Sequence, residues 1–125
     1  MTSQDQIISA LELALGVGET SVIVRSSGAI AEVHGLLTVR RKTEWVTLGE
    51  EGQTHIHLKI VERCRLRYRR QSDKNAALEL AGPDGEVLCR VAFHGTNQTK
   101  TDQYQPERAA MIHESFSHLT ESGET

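Results

Sequence analysis

Thr54-His55-Ile56-His57-Leu58-Lys59 is the stretch from which the rest of the chain can be read. Apolar Ile56, Leu58 and, one step on, Ile60 alternate with polar His55, His57 and Lys59, the two-residue period of a β-strand with one buried face. Successive side chains of a strand point to opposite faces. Both imidazoles and the Lys59 ammonium therefore share one face, and the aliphatic side chains form the other. Histidines two residues apart on a strand sit about 7 Å from each other, close enough to flank a single ligand. No other stretch gathers as much ligand-binding chemistry on one face.

Working outward, Glu44–Leu48 reads as the preceding strand and Gly49-Glu50-Glu51-Gly52 as a tight turn. Pairing across that turn puts Trp45 opposite His57 and Thr47 opposite His55. The chain's single tryptophan then lies on the histidine face, where an exposed indole has little structural reason to be unless something covers it. Downstream, Arg63–Arg70, a polar turn at Gln71–Asn75, Ala77–Ala81, the turn Gly82-Pro83-Asp84-Gly85 and Glu86–His94 continue the strand pattern. This register sets Tyr68 against Leu78, Leu66 against Leu80, Leu80 against Val87 and Leu78 against Cys89. One face then holds Cys64, Leu66, Tyr68, Leu78, Leu80, Val87, Cys89, Val91 and Phe93, a core. The other holds Arg65, Arg67, Arg69, Glu79, Arg90 and His94. Cys64 and Cys89 fall two strands apart, roughly 9–10 Å, too far for a disulfide, and read as reduced core residues.

Upstream, residues 3–15 repeat Ile7, Ile8, Leu11, Ala14 and Leu15 at helical spacing, with Ser3 and Gln6 placed as a capping box. Short strands follow at Ser21–Arg25 and Ala29–His34 around the turn Ser26-Ser27-Gly28, and Leu36–Arg41 is a strand or an irregular bend. After a polar loop at Gly95–Gln103, Pro106 opens a closing helix with the stripe Ala109, Ile112, Phe116 and Leu119. Residues 120–125 read as a frayed, disordered tail. Strands joined by short turns between two helices give the expected class: α+β, a curved antiparallel meander in a single domain spanning residues 1–125.

At 125 residues, with 38% hydrophobic and 25% charged residues, the chain suits one soluble domain. A net charge of −3 and only 4% aromatic residues argue against nucleic acid as a partner. No stretch has the length of a membrane span or the pattern of a signal peptide. Two cysteines fit neither a disulfide scaffold nor a zinc spacing, so a reducing cytoplasm is the expected location.

For His55 and His57 the chemical reading is metal or haem ligation, and the plain one is a solvated sheet face. For Arg63, Arg65, Arg67 and Arg69, and for the second basic run Arg40-Arg41-Lys42, it is an anion site against surface ion pairs, with Arg67 facing Glu79. His94, ending the last strand on the arginine face, is a secondary candidate. His113 and His118 read as surface residues. No nucleophile or phosphate-loop motif occurs, so no enzyme is expected.

The order of features from about Gly18 to Leu119 resembles the haem-utilisation family that includes HemS, ChuX and HutX. The carrying residues are Ser21-Val22-Ile23-Val24 followed by Gly28-Ala29-Ile30, Trp45-Val46-Thr47-Leu48-Gly49, His55-Ile56-His57-Leu58, Asp84-Gly85-Glu86-Val87-Leu88 and Pro106-Glu107-Arg108. The resemblance implies an antiparallel sheet with flanking helices, homodimers, and haem as cofactor, bound in the cytoplasm for storage or transfer; degradation has been proposed for some members. On it, His57 or His55 is the ligand of the haem iron; with haem bound there, the hairpin register makes Trp45 a pocket wall, and Arg65 and Arg67 of the later strand are the expected partners of the propionates. Ser26-Ser27 stands where related sequences often carry a histidine before the glycine turn, which implies a labile site suited to transfer. The alternatives are a haem-free dimeric interaction module on the same fold and reductant-dependent haem degradation.

Overall fold

The computed structural model describes residues 4–26, 28–42, 45–49, 55–59, 64–70 and 73–119. Helix α1 (Gln4–Leu15) is followed by strands β1 (Thr20–Ser26), β2 (Ala29–Gly35), β3 (Thr38–Lys42), β4 (Trp45–Gly49), β5 (His55–Lys59), β6 (Arg65–Arg69), β7 (Ala77–Ala81) and β8 (Val87–Phe93), then helix α2 (Pro106–Phe116) and a short 3-10 turn at Ser117–Leu119. The expected cap at Ser3, parts of the turns at Ser27, residues 50–52 and residues 71–72, and the tail 120–125 lie outside the described residues.

The fold is α+β and antiparallel, with the meander in two pieces. One sheet has the order β3-β4-β5 and the other β2-β1-β8-β7-β6. The β1–β2 hairpin joins the second sheet through the pairing of β1 with β8, between residues as far apart in sequence as Thr20 and Phe93. Such a pairing leaves no mark in local turn patterns. Both sheets and both helices send apolar side chains into one core cluster. From α1 these are Ile7, Ile8, Leu11, Ala14 and Leu15, the residues of the helical repeat.

The chain's two phenylalanines and Tyr68 tie α2 to the large sheet. Phe116 stacks on Tyr68 and on Phe93, with ring centroids 5.6 and 5.4 Å apart. All three side chains are fully buried, and such aromatic contacts add to the large apolar area that each ring removes from water. Tyr68 carries a hydroxyl into this core and gives it a partner, His113 Nδ1, at 2.6 Å. His113, expected at the surface, is thereby drawn half into the core, and burial followed by the nearby Arg70 charge holds its pKa below the usual histidine value.

Arg108 on α2 donates to the backbone carbonyls of Val17, Glu19 and His94, joining the α1–β1 link to the turn that follows β8. Its guanidinium passes so close to Gly18, whose φ is +114°, that a Cβ there would lie 3.0 Å from Nη1. The expected Gly95–Gln103 loop is packed. Thr96 Oγ1 accepts from the Ala76 amide, and Asn97 Nδ2 donates to the Asp73 carbonyl.

The β6–β7 register is as expected, with Tyr68 opposite Leu78, Leu66 opposite Leu80 and Arg67 opposite Glu79. The β7–β8 register is two residues off: Leu80 faces Cys89 and Leu78 faces Val91. An even shift keeps every residue on its face up to the irregularity at Leu80/Ala81, where Ala81 faces Val87. There the ladder passes over Leu88, as at a β-bulge. Val87 accordingly joins Glu79 and Arg90 on the open face, and not the core. Cys64 and Cys89 are free and buried, and burial pushes the Cys89 thiol up to about 12.

Candidate functional site

Among the described residues, strand β5 forms the edge of the three-stranded sheet and pairs with β4. Ile56 and Leu58 are buried against Val46 and Leu48 of β4, which turns His55, His57 and Lys59 to the open side. Across the sheet, the rows on that side are Thr38–Gly49–His55, Arg40–Thr47–His57 and Trp45–Lys59. The tight turn after Gly49 predicted Trp45 opposite His57 and Thr47 opposite His55. The ladder instead closes with Gly49 opposite His55, which moves the register by two residues. Being even, the shift leaves Trp45 on the histidine face, now opposite Lys59 and 45% exposed.

The two imidazoles have centroids 6.4 Å apart and planes tilted by 40°. They differ in what holds them. His57 is exposed, and its Nδ1 lies 3.0 Å from Thr47 Oγ1, directly across the ladder. In the tautomer that donates from Nδ1 to Thr47, the Nε2 lone pair is left for an incoming ligand. His55 is half-buried, and its Nε2 is a buried polar atom without a hydrogen-bond partner. Such an orphan calls for an explanation, because native structures leave few of them.

Arg65 and Arg67 lie elsewhere, on the open face of the five-stranded sheet beside Glu79 and Arg90. Arg67 Nε donates to Glu79 Oε1 at 2.8 Å, while Arg69 and Arg90 approach the same carboxylate at 3.8 and 3.9 Å. Glu79 is only 6% exposed, so this is a partly buried ion cluster and not the surface pair the sequence suggested. Among the described side chains, the cations that share the histidine sheet face are Lys59 and Arg40. Arg40 was legible only as part of a basic run; its place in the His57 row comes from the β3–β4 register. Arg41, its neighbour, points the other way and pairs with Asp5 of α1 at 2.8 Å. The structure thus brings His55, His57 and Trp45 together, and adds Thr47 and Arg40 to them.

No protein-family model matches the chain, and no sequence among the curated proteins does. Solved structures do match. A crystal structure of ChuX superposes with a TM-score of 0.69 over 94% of this chain and 74% of that one, at 17% identity. A structure of ChuX described as a haem-binding protein gives a TM-score of 0.67 over 96% of this chain and 76% of that one, at 18% identity. A protein of Erwinia carotovora gives 0.67 over 94% and 74%, at 15% identity. At these identities the likeness is one of fold: the chain has the ChuX fold, as the sequence motifs implied.

Proposed function

We propose that the protein binds haem on the open face of the three-stranded sheet and carries it without catalysing a reaction. The observation that carries this reading is His57: an exposed imidazole, steadied through Nδ1 by Thr47 and flanked by a half-exposed tryptophan. It stands on a fold shared with a haem-binding protein. The donor set fits an iron porphyrin, since neutral imidazole is a good iron ligand. His57 is the favoured ligand, and the orphaned Nε2 of His55 supplies a second nitrogen close by. Trp45 offers an apolar wall beside the ring. Arg65 and Arg67 stand on the other sheet, so in this reading the carboxylates of the ligand are met by Arg40 and Lys59. Haem brings its own iron chemistry; the chain's residues bind it, orient it and hold it for transfer in the cytoplasm.

Pairing into a homodimer belongs to the same proposal. Strand β2 is an edge strand, its residues 29–32 are all exposed, and Ile30 is 66% exposed. An apolar edge with no strand beside it among the described residues calls for a cover. Among the described residues no helix is long and apolar enough to cross a membrane.

Haemin titration followed at the Soret band tests the reading. Saturation at one haem per chain is expected, with Arg40→Ala weakening binding and Arg65→Ala leaving it unchanged. An absence of saturable change would refute haem binding, and the haem-free dimeric module would take its place.

A further inference from the structure

Ser21, His34 and His94 meet on the open face of the five-stranded sheet, and the haem reading uses none of them. Ser21 is 6% exposed. Its Oγ lies 2.7 Å from His34 Nδ1 and 2.7 Å from His94 Nε2. The two rings stand 6.4 Å apart between centroids, tilted by 58°. The strand pairings build this convergence. Ser21 faces His34 across β1–β2 and Ala92 across β1–β8, and His94 follows two residues beyond Ala92 on the same side. Two ring nitrogens, one from β2 and one from the turn after β8, therefore point at one oxygen.

A serine hydroxyl has a single proton, so it donates to one imidazole and accepts from the other. Glu32 indicates which. Its Oε2 lies 3.5 Å from His34 Nε2, favouring a proton on that nitrogen and leaving the Nδ1 lone pair turned toward Ser21. The contact is an exposed ion-pair distance and not a hydrogen bond, so the carboxylate biases the tautomer by its charge without locking the ring as the hydrogen-bonded carboxylates behind metal-ligating histidines do.

We infer that His34 Nδ1 and His94 Nε2, with Ser21 Oγ as a neutral third donor, bind a divalent late transition-metal ion of the Cu2+, Ni2+ or Zn2+ class. When the ion binds, His94 carries its proton on Nδ1, so both facing nitrogens offer lone pairs, and water completes the coordination. His34 sits on an edge strand with its side chain 61% exposed. That gives the ion a route in and leaves the ring room to close from hydrogen-bonding distance to a metal–nitrogen distance of about 2.0–2.1 Å. Among the described residues no group of three or more His, Cys, Asp or Glu side chains forms a metal cage. The site is therefore open, its affinity modest, and Cu2+ should bind more tightly than Ni2+ or Zn2+.

Calorimetric titration of the full chain with Ni2+ and Zn2+ tests the site against the other imidazole pair. One saturable ion per chain is expected in the parent. Binding should weaken about ten-fold or more in His34→Ala and in His94→Ala, and persist in the His55→Ala/His57→Ala double variant. Ser21→Cys, which places a thiolate at the point of convergence, should bind Zn2+ more tightly and give a thiolate–Co2+ charge-transfer band. The inference is overturned if the parent shows no saturable ion, if the His34→Ala/His94→Ala double variant binds as the parent does, or if only the His55→Ala/His57→Ala variant loses the ion.

Discussion

Replacing Glu79 by alanine is expected to cost about 3 kcal/mol of stability. Glu79, 6% exposed, lies on β7 between β6 and β8, and its carboxylate faces three guanidinium groups, from Arg67 at 2.8 Å, Arg69 at 3.8 Å and Arg90 at 3.9 Å. Removing one member of a buried ion pair costs about 3–5 kcal/mol, because the partner's charge stays desolvated without compensation. Here the side chain of Arg67 is 16% exposed and stranded, whereas those of Arg69 and Arg90, at 37% and 33%, recover water. The cost therefore falls at the lower end of the range. For a domain of this size it corresponds to a fall in Tm of about 10 °C. Urea unfolding of Glu79→Ala, Arg67→Met and the double variant reads it directly. In the double variant the loss should be partly restored, since neither charge is then left alone. A cost below about 1 kcal/mol for Glu79→Ala would mean that the cluster behaves as solvated surface pairs and that Arg67 is not left desolvated.

Tyr68→Phe removes the hydroxyl that meets His113 and should cost about 1–2 kcal/mol by equilibrium unfolding. His113 also sets a pH dependence. Burial holds its folded pKa below the ordinary 6.5, so above that value both states are neutral and its contribution is complete. As pH falls from 6.5 toward the lower folded value, the unfolded chain takes up the proton first and stability is lost. His113→Phe should flatten that part of the curve. Arg108→Ala removes the donor to three carbonyls and should cost about 2–3 kcal/mol, with Arg108→Lys recovering little, since an ammonium lacks the planar fork. Native alkylation of Cys89 should be slow until the chain unfolds, because the thiol is buried and pushed up to about 12. Light scattering should give twice the chain mass of 13.9 kDa, and Ile30→Lys should return the single-chain value.

Face assignments were legible in the sequence; distances between elements were not. Alternation of period two placed Trp45, His55 and His57 on one side and Leu78, Leu80, Cys89 and Val91 on the other. Both assignments survived register errors of two residues, because an even slip changes neighbours without turning side chains over. The extra residue at Leu88 broke the parity and turned Val87 outward, and nothing in Glu86-Val87-Leu88-Cys89 marks that irregularity. The pairing of β1 with β8 is what brings Ser21 to His94, and it joins residues 73 apart in the chain. His113 had a signal that went unused: Tyr68 falls on the core face, and a buried phenol needs a partner for its hydroxyl. Arg40 joined the histidine face only once the β3–β4 ladder was known.

Haem binding at this face depends on the imidazoles of β5, and it is read in the Soret spectrum of haemin-loaded His57→Ala beside the parent and the His55→Ala/His57→Ala variant. A saturable histidine-ligated spectrum is expected in the parent, an altered ligand spectrum with weaker binding in His57→Ala, and no saturable binding in the double variant. Equal binding with an unchanged spectrum in the double variant would contradict it.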